Sequence, residues 1–188
     1  MFKWIYNFFN ESKVEETNVK IDFKKKLDEI SKSIHPILKE KGFKKRGRTF
    51  NKDLENGLIQ VVNFQMSKFY NHYEREFTVN LGVFIKEIYD LQYDKKTFIQ
   101  EYDCRYRNRL GNIDNETDVW WNLNIKDSYN IKNEIKELIK DKGFNWFEKL
   151  SSRDKIIKSL EKENKSYKSK INQTSFFEKK PQKEQKVK

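Results

Sequence analysis

The run Glu76 to Ile85, EFTVNLGVFI, constrains the fold more than any other part of this chain. In it Phe77, Val79, Leu81 and Val83 alternate with Thr78, Asn80, Gly82 and Phe84. Side chains that repeat every second residue share one face of a strand. The pattern therefore predicts a strand with one face on a core and a second, half-solvated face. Two more runs of this kind precede it: FKKRGRTF from Phe43 to Phe50, and LIQVVNFQMSK from Leu58 to Lys68, with Gly57 at the turn between them. Short, turn-linked spacing favours an antiparallel meander over parallel crossovers. Cys104 to Leu110, ended by Gly111-Asn112, and Val119 to Leu123 supply a fourth and a fifth strand. Lys86 to Tyr102 reads as either loop or short helix.

Helices flank these strands. Phe23, Leu27, Ile30, Ile34, Ile37 and Leu38 recur at helical spacing, which predicts a helix from about Val19 to Lys41 with Gly42 just past its end. Pro36 predicts a kink, or a restart after Ser33. A second helix is expected from Ser128, with Ile131, Ile135, Leu138 and Ile139 on its apolar stripe and its end at Gly143. Phe144, Trp146, Phe147 and Leu150 form a short apolar element, and Ile156, Ile157 and Leu160 a last helix. The fold class is α+β: an N-terminal helix, an antiparallel sheet of four to five strands, and C-terminal helices packed on one face. The expected organisation is an amphipathic segment at 1–18, a single α+β domain at 19–163, and a disordered, flexible basic tail at 164–188. The first segment carries the stripe Phe2, Ile5, Tyr6 and Phe9.

Composition bounds the partners. Charged residues make up 37% of the 188 and aromatics 15%, with a formal net charge of +11. The aromatic share is too high for a disordered chain. The charge excess predicts association with anions that weakens as salt rises. There is no alanine, Gly and Pro are scarce, and Lys, Asn, Ile, Phe and Tyr abound. That balance is the one expected of an A/T-rich bacterial genome, in which codon usage, rather than a polyanionic partner, would account for part of the excess. One cysteine, Cys104, allows no internal disulfide. The start MFKWIYNFF lacks the pattern of a signal peptide, and no apolar run reaches the roughly 18 residues of a membrane span. A cytoplasmic protein is expected.

Arginine is rationed: 7 against 33 lysines. Three of the seven, Arg105, Arg107 and Arg109, stand at alternate positions of CRYRNRL. On a strand all three guanidinium groups would share one face, together with Glu101 and Asp103. Arginine offers a planar fork suited to carboxylates and phosphates, which lysine does not. The competing reading is a solvated face with cross-strand ion pairs worth little. Trp120 and Trp121 are adjacent, so on a strand they point to opposite faces. One is expected in the core, and the other is a candidate anchor beside the Arg face. Lys44, Lys45, Arg46 and Arg48 form a basic stretch that could meet a nucleic-acid backbone, or merely be a solvated face. Cys104 reads as a buried apolar residue rather than a nucleophile. With only His35 and His72, one cysteine and no phosphate or dinucleotide loop, no catalytic, metal or cofactor site is expected.

The pieces GFKKRGRTF (Gly42 to Phe50), VVNFQMSKF (Val61 to Phe69), FTVNLGVF (Phe77 to Phe84), CRYRNRLG (Cys104 to Gly111) and VWW (Val119 to Trp121) together resemble one family of small bacterial proteins, domain of unknown function 4304, over about residues 20–150. The resemblance implies a helix before the sheet and helices after it, and carries over no catalytic residues. The function expected is a non-enzymatic, cytoplasmic protein-binding module, in one form an immunity-type inhibitor. Its contacts would come from Arg105, Arg107, Arg109, Trp120 and Trp121. The alternative is a nucleic-acid or phosphate-ligand binder using the Arg strand, Arg46, Arg48 and the tail.

Overall fold

The computed structural model describes residues 21–54, 57–68, 75–90, 96–114, 118–124, 128–162 and 165. The segment 1–18 and, apart from residue 165, the tail 164–188 lie outside the described residues.

Helix α1 (Phe23–Glu40) opens at Asp22, whose carboxylate accepts from the Lys25 N–H at 3.0 Å. It closes at Gly42, where the Gly42 N–H donates to Lys39 O at 2.9 Å and the Phe43 N–H to Leu38 O at 3.0 Å. This pair of bonds is a Schellman cap. Leu27, Ile30, Ile34 and Leu38 are buried along one stripe. The helix runs unbroken through Pro36, so the expected restart after Ser33 does not occur. The lost backbone bond costs on the order of 3 kcal/mol. Four buried aliphatic side chains, at roughly 1.5–3 kcal/mol each, outweigh it.

The sheet is antiparallel with strand order β1-β2-β3-β4-β5: β1 Lys44–Arg46, β2 Thr49–Asp53, β3 Leu58–Met66, β4 Glu76–Ile85 and β5 Tyr106–Arg109. A sixth strand, β6 (Trp121–Asn122), pairs with the start of β4. The sixth strand arises because FKKRGRTF is a hairpin rather than one strand. Arg46 pairs with Thr49 across a two-residue turn, Gly47-Arg48, with Gly47 at φ 61°. A positive φ is what tight hairpin turns demand. The last two strands are shorter than their apolar runs. The Cys104 N–H is spent on Glu101 O, closing a one-turn 3-10 helix at Glu101–Asp103. Side chains replace the ladder at Val119: Asn112 Oδ1 accepts from its N–H, and Thr78 Oγ1 donates to its carbonyl. Lys86–Asp90 is a short helix, α2.

Helix α3 (Tyr129–Leu138) passes through a wide π turn at Ile139–Gly143 directly into α4 (Phe144–Glu148). The expected stop at Gly143 is therefore absent, and Gly143 keeps right-handed helical angles (φ −63°, ψ −50°). The wide turn leaves Ile139 and Phe147 both buried. A last helix, α5, spans 153–162.

Register fixes which side chains share a face. Val62 pairs with Leu81, Phe64 with Val79 and Phe50 with Val62. These join Leu27, Ile34, Ile135, Ile139 and Phe147 in one large core, so the helices pack on one face of the sheet. No helix among the described residues is long and apolar enough to cross a membrane.

The second face is not simply solvated. Thr78, Asn80, Gly82 and Phe84 of β4 are all buried. Residues 96–104 cross it, held where Asn51 donates to Ile99 O at 2.9 Å and accepts from Ile99 N at 2.8 Å. Val61, Phe84, Ile99 and Cys104 make a small second core there. A Cβ on Gly82 would lie 2.6 Å from Cys104 Sγ and 2.9 Å from its Cβ. Gly82→Ala is expected to cost about 1–3 kcal/mol in urea unfolding. Adding Cys104→Ala, which removes the nearer atom, should restore part of that loss.

Candidate functional site

Strand β5 docks on β4 with Asn80 opposite Arg109 and Gly82 opposite Arg107. Both arginines thus stand on the second face, on the side of Asn80. Arg105 precedes the strand, is exposed, and lays its guanidinium beside the Tyr106 ring, 5.9 Å from the centroid. It does not join the other two. Glu101 and Asp103 do not line the strand either, because they belong to the preceding turn. Asp103 caps that turn, accepting from the Gln100 N–H at 2.9 Å, and pairs with Lys96 at 2.7 Å.

The turn holds Glu101 beside Arg107, with 3.6 Å between Oε1 and Nη1. That is an ion pair too long for a good hydrogen bond. Arg109 is held more firmly. It is ion-paired with Asp118, and its guanidinium lies 4.9 Å from the centroid of the Trp120 ring. Trp120 donates from Nε1 to the same Asp118 carboxylate at 3.0 Å. Trp121 points the other way, as adjacent strand residues must. It is buried against Phe77, and its Nε1 donates to Glu134 Oε1 at 3.0 Å. The tryptophan pair therefore divides into a core residue and a half-buried brace for Arg109.

Between these groups lies an open cleft of about 520 Å³, lined by Gln65, Asn80, Glu101, Arg107, Asn108, Arg109 and Asn112. Two of its lining amides, Gln65 and Asn80, belong to a network of amides and one hydroxyl that runs on from the cleft. Asn80 Nδ2 donates to Gln65 Oε1 at 2.7 Å and lies 3.4 Å from Asn63 Oδ1. Asn63 donates to Thr49 Oγ1 at 2.9 Å, and Thr49 in turn donates to Gln100 Oε1 at 3.2 Å. Asn80 is 3% exposed, so its orientation is set by its neighbours rather than by solvent. These amides were not singled out in the sequence. The signal was present as polar residues at alternate positions of two adjacent strands, Asn63-Gln65 and Thr78-Asn80. Bringing them together requires the β3–β4 register, which no local pattern specifies.

The basic stretch does not form one surface. Arg46, exposed, stacks beside Phe98 at 5.7 Å. Arg48 turns to α1, where Nε donates to Asp28 Oδ1 at 2.7 Å and Nη2 to Lys24 O at 3.0 Å. The Arg48 hydrogen bond is the main reason the Asp28 carboxyl is held below the usual carboxylate range. A depressed folded value means the contribution is present above the ordinary carboxylate range and is lost as pH falls through the folded value. Both side chains are partly exposed, so the pair is worth little. Arg48→Ala should lower stability at neutral pH by about 0.5 kcal/mol, with the deficit vanishing in strong acid. Thermal unfolding of both proteins across pH checks this.

Among the described residues no group of three or more His, Cys, Asp or Glu side chains could hold a metal ion. Cys104 is buried. Burial first, then the nearby Glu101 and Asp103 charges, push its thiol well above the ordinary range. Iodoacetamide at about pH 8 should alkylate it more than about 100-fold more slowly in the native protein than in urea. Comparable rates would show that the small second core opens.

A family model described as Domain of unknown function (DUF4304) matches residues 34–149. The match runs from within α1 to the end of α4 and takes in every strand and the cleft. No curated protein and no solved structure matches the chain.

Proposed function

Since the chain belongs to the DUF4304 family, whose description assigns no activity, we propose its function from the cleft. The protein is a non-enzymatic protein-binding module, cytoplasmic and bacterial, that engages an acidic segment of a partner protein. The observation that carries this reading is the placement of Arg107 and Arg109 side by side at an open cleft lined by amides. Planar forks match carboxylate oxygens in pairs, and the amides offer both donors and acceptors to a peptide backbone. Trp120 supplies a flat apolar edge beside them, the residue type that anchors protein interfaces. In an immunity-type role the acidic segment would belong to a toxin. The side chains that line the cleft are four amides, two guanidiniums and the Glu101 carboxylate, a set suited to binding.

The nucleic-acid reading has less behind it. It draws on the Arg strand, Arg46, Arg48 and the basic tail together; of these, Arg48 is committed to Asp28 on the helical side, and the tail, apart from residue 165, lies outside the described residues.

The test uses two labelled probes read by fluorescence anisotropy: an eight-residue peptide alternating Glu and Gly, and an oligothymidylate of equal length. Arg107→Ala should weaken the peptide about tenfold, roughly one charge-assisted hydrogen bond. It should barely alter the oligonucleotide, whose attraction is spread over the whole basic surface. An unchanged peptide affinity in Arg107→Ala contradicts the proposal. A steep salt dependence for the oligonucleotide that Arg107→Ala abolishes would favour the alternative.

A further inference from the structure

We infer that the cleft selects carboxylates over phosphates, and that Glu101 is the residue that sets this preference. The inference rests on the binding reading above and deepens it by naming the chemical group recognised.

Charge balance argues for it. The ionised side chains of the lining are Arg107, Arg109 and Glu101, a net charge of +1. Asp118, on the far side of Arg109, offsets even that. A polyanion therefore gains no field advantage here, although the whole chain is strongly basic. A single carboxylate is matched by the one guanidinium that is loosely paired.

The pairing geometry argues for it too. Arg107 is more than half exposed, and its ion-pair partner Glu101 stands at 3.6 Å, beyond good hydrogen-bonding distance. Arg107 can turn its fork to an incoming anion at little loss. Arg109 cannot move so readily, being held by Asp118 and Trp120. The anion that arrives must then sit next to Glu101. The backbone of Glu101 is held by the Asp103 cap and by the Cys104 N–H donating to its carbonyl, and its side chain is only 19% exposed, which keeps its carboxylate beside the cleft. A carboxylate brings one negative charge to that position. A phosphate monoester at neutral pH brings nearly two, so its repulsion from Glu101 and its attraction to the guanidiniums both nearly double; with Asp118 the four charges sum to zero, so the second charge gains nothing and adds its own desolvation cost.

The experiment compares two capped pentapeptides, glycine at every position except the third, which is glutamate in one and phosphoserine in the other. Both are titrated by NMR into the full chain, its Glu101→Gln variant and its Arg107→Ala variant. The wild-type protein is expected to bind the glutamate peptide more tightly than the phosphoserine peptide. Glu101→Gln should tighten the phosphoserine peptide by about tenfold while moving the glutamate peptide less than about threefold. Arg107→Ala should weaken both. If Glu101→Gln leaves the ratio of the two affinities unchanged, or if the wild type already prefers phosphoserine, the inference is overturned. Weakening of both peptides by Arg107→Ala would then still support the cleft as the binding site. If neither peptide binds the wild type, or Arg107→Ala moves neither affinity, the binding reading falls as well.

Discussion

The pairing of β3 with β4 is the constraint on which the rest of the structure depends. Nine consecutive residue pairs, from Leu58 with Ile85 to Met66 with Phe77, lock the two central strands in one register. A slip of one residue would turn one strand over relative to the other. Were β4 the strand to turn, the helical face would lose Val79 and Leu81, and the stripe of α1 would meet Thr78 and Asn80 in their place. The opposite face would lose Thr78 and Asn80 from beside Asn63 and Gln65. Both the packing of the helices and the amides of the cleft therefore follow from one hydrogen-bonded ladder.

From that ladder the site is built outward. β5 can add to β4 because Gly82 leaves room for Cys104 beneath residues 96–104. The strand begins only after the turn that Asp103 caps, and this start decides which arginines face the cleft. Asn80 and Gly82 then set the positions of Arg109 and Arg107. Asp118 and Trp120, brought in by the chain that returns to β6, hold one guanidinium and leave the other loosely paired. One arginine of the cleft is thus braced by an ion pair and a ring, and the other is more exposed and loosely paired.

Much of this was legible in the chain. Strand alternation predicted β4, the shared side of Arg107 and Arg109, and the opposite directions of Trp120 and Trp121. Helical spacing predicted α1 and its glycine cap. What was not legible has physical reasons in each case. Arg105 shares the spacing of its neighbours but falls before the strand, because the Cys104 amide is spent closing a turn. Arg46 and Arg48 share a basic stretch but part company in a hairpin, one stacking on Phe98 and the other reaching α1. Pro36 lies within a helix because the buried aliphatic stripe outweighs one missing hydrogen bond. Gly143 lies within a helix because a wide turn keeps the apolar stripe on the core. The amide network joins residues from separate strands, and single-strand patterns carry no information on which of them meet.

The central claim, that Arg107 and Arg109 form an anion-binding cleft with the amides that line it, is tested most directly by side-chain NMR. The Nε–Hε signals of the two arginines and the NH₂ signals of Gln65 and Asn80 would be followed as an acidic peptide is added. The account predicts that these four groups shift together and saturate at one peptide concentration. Shifts confined to the lysines of α1, with these four signals unmoved, would contradict it.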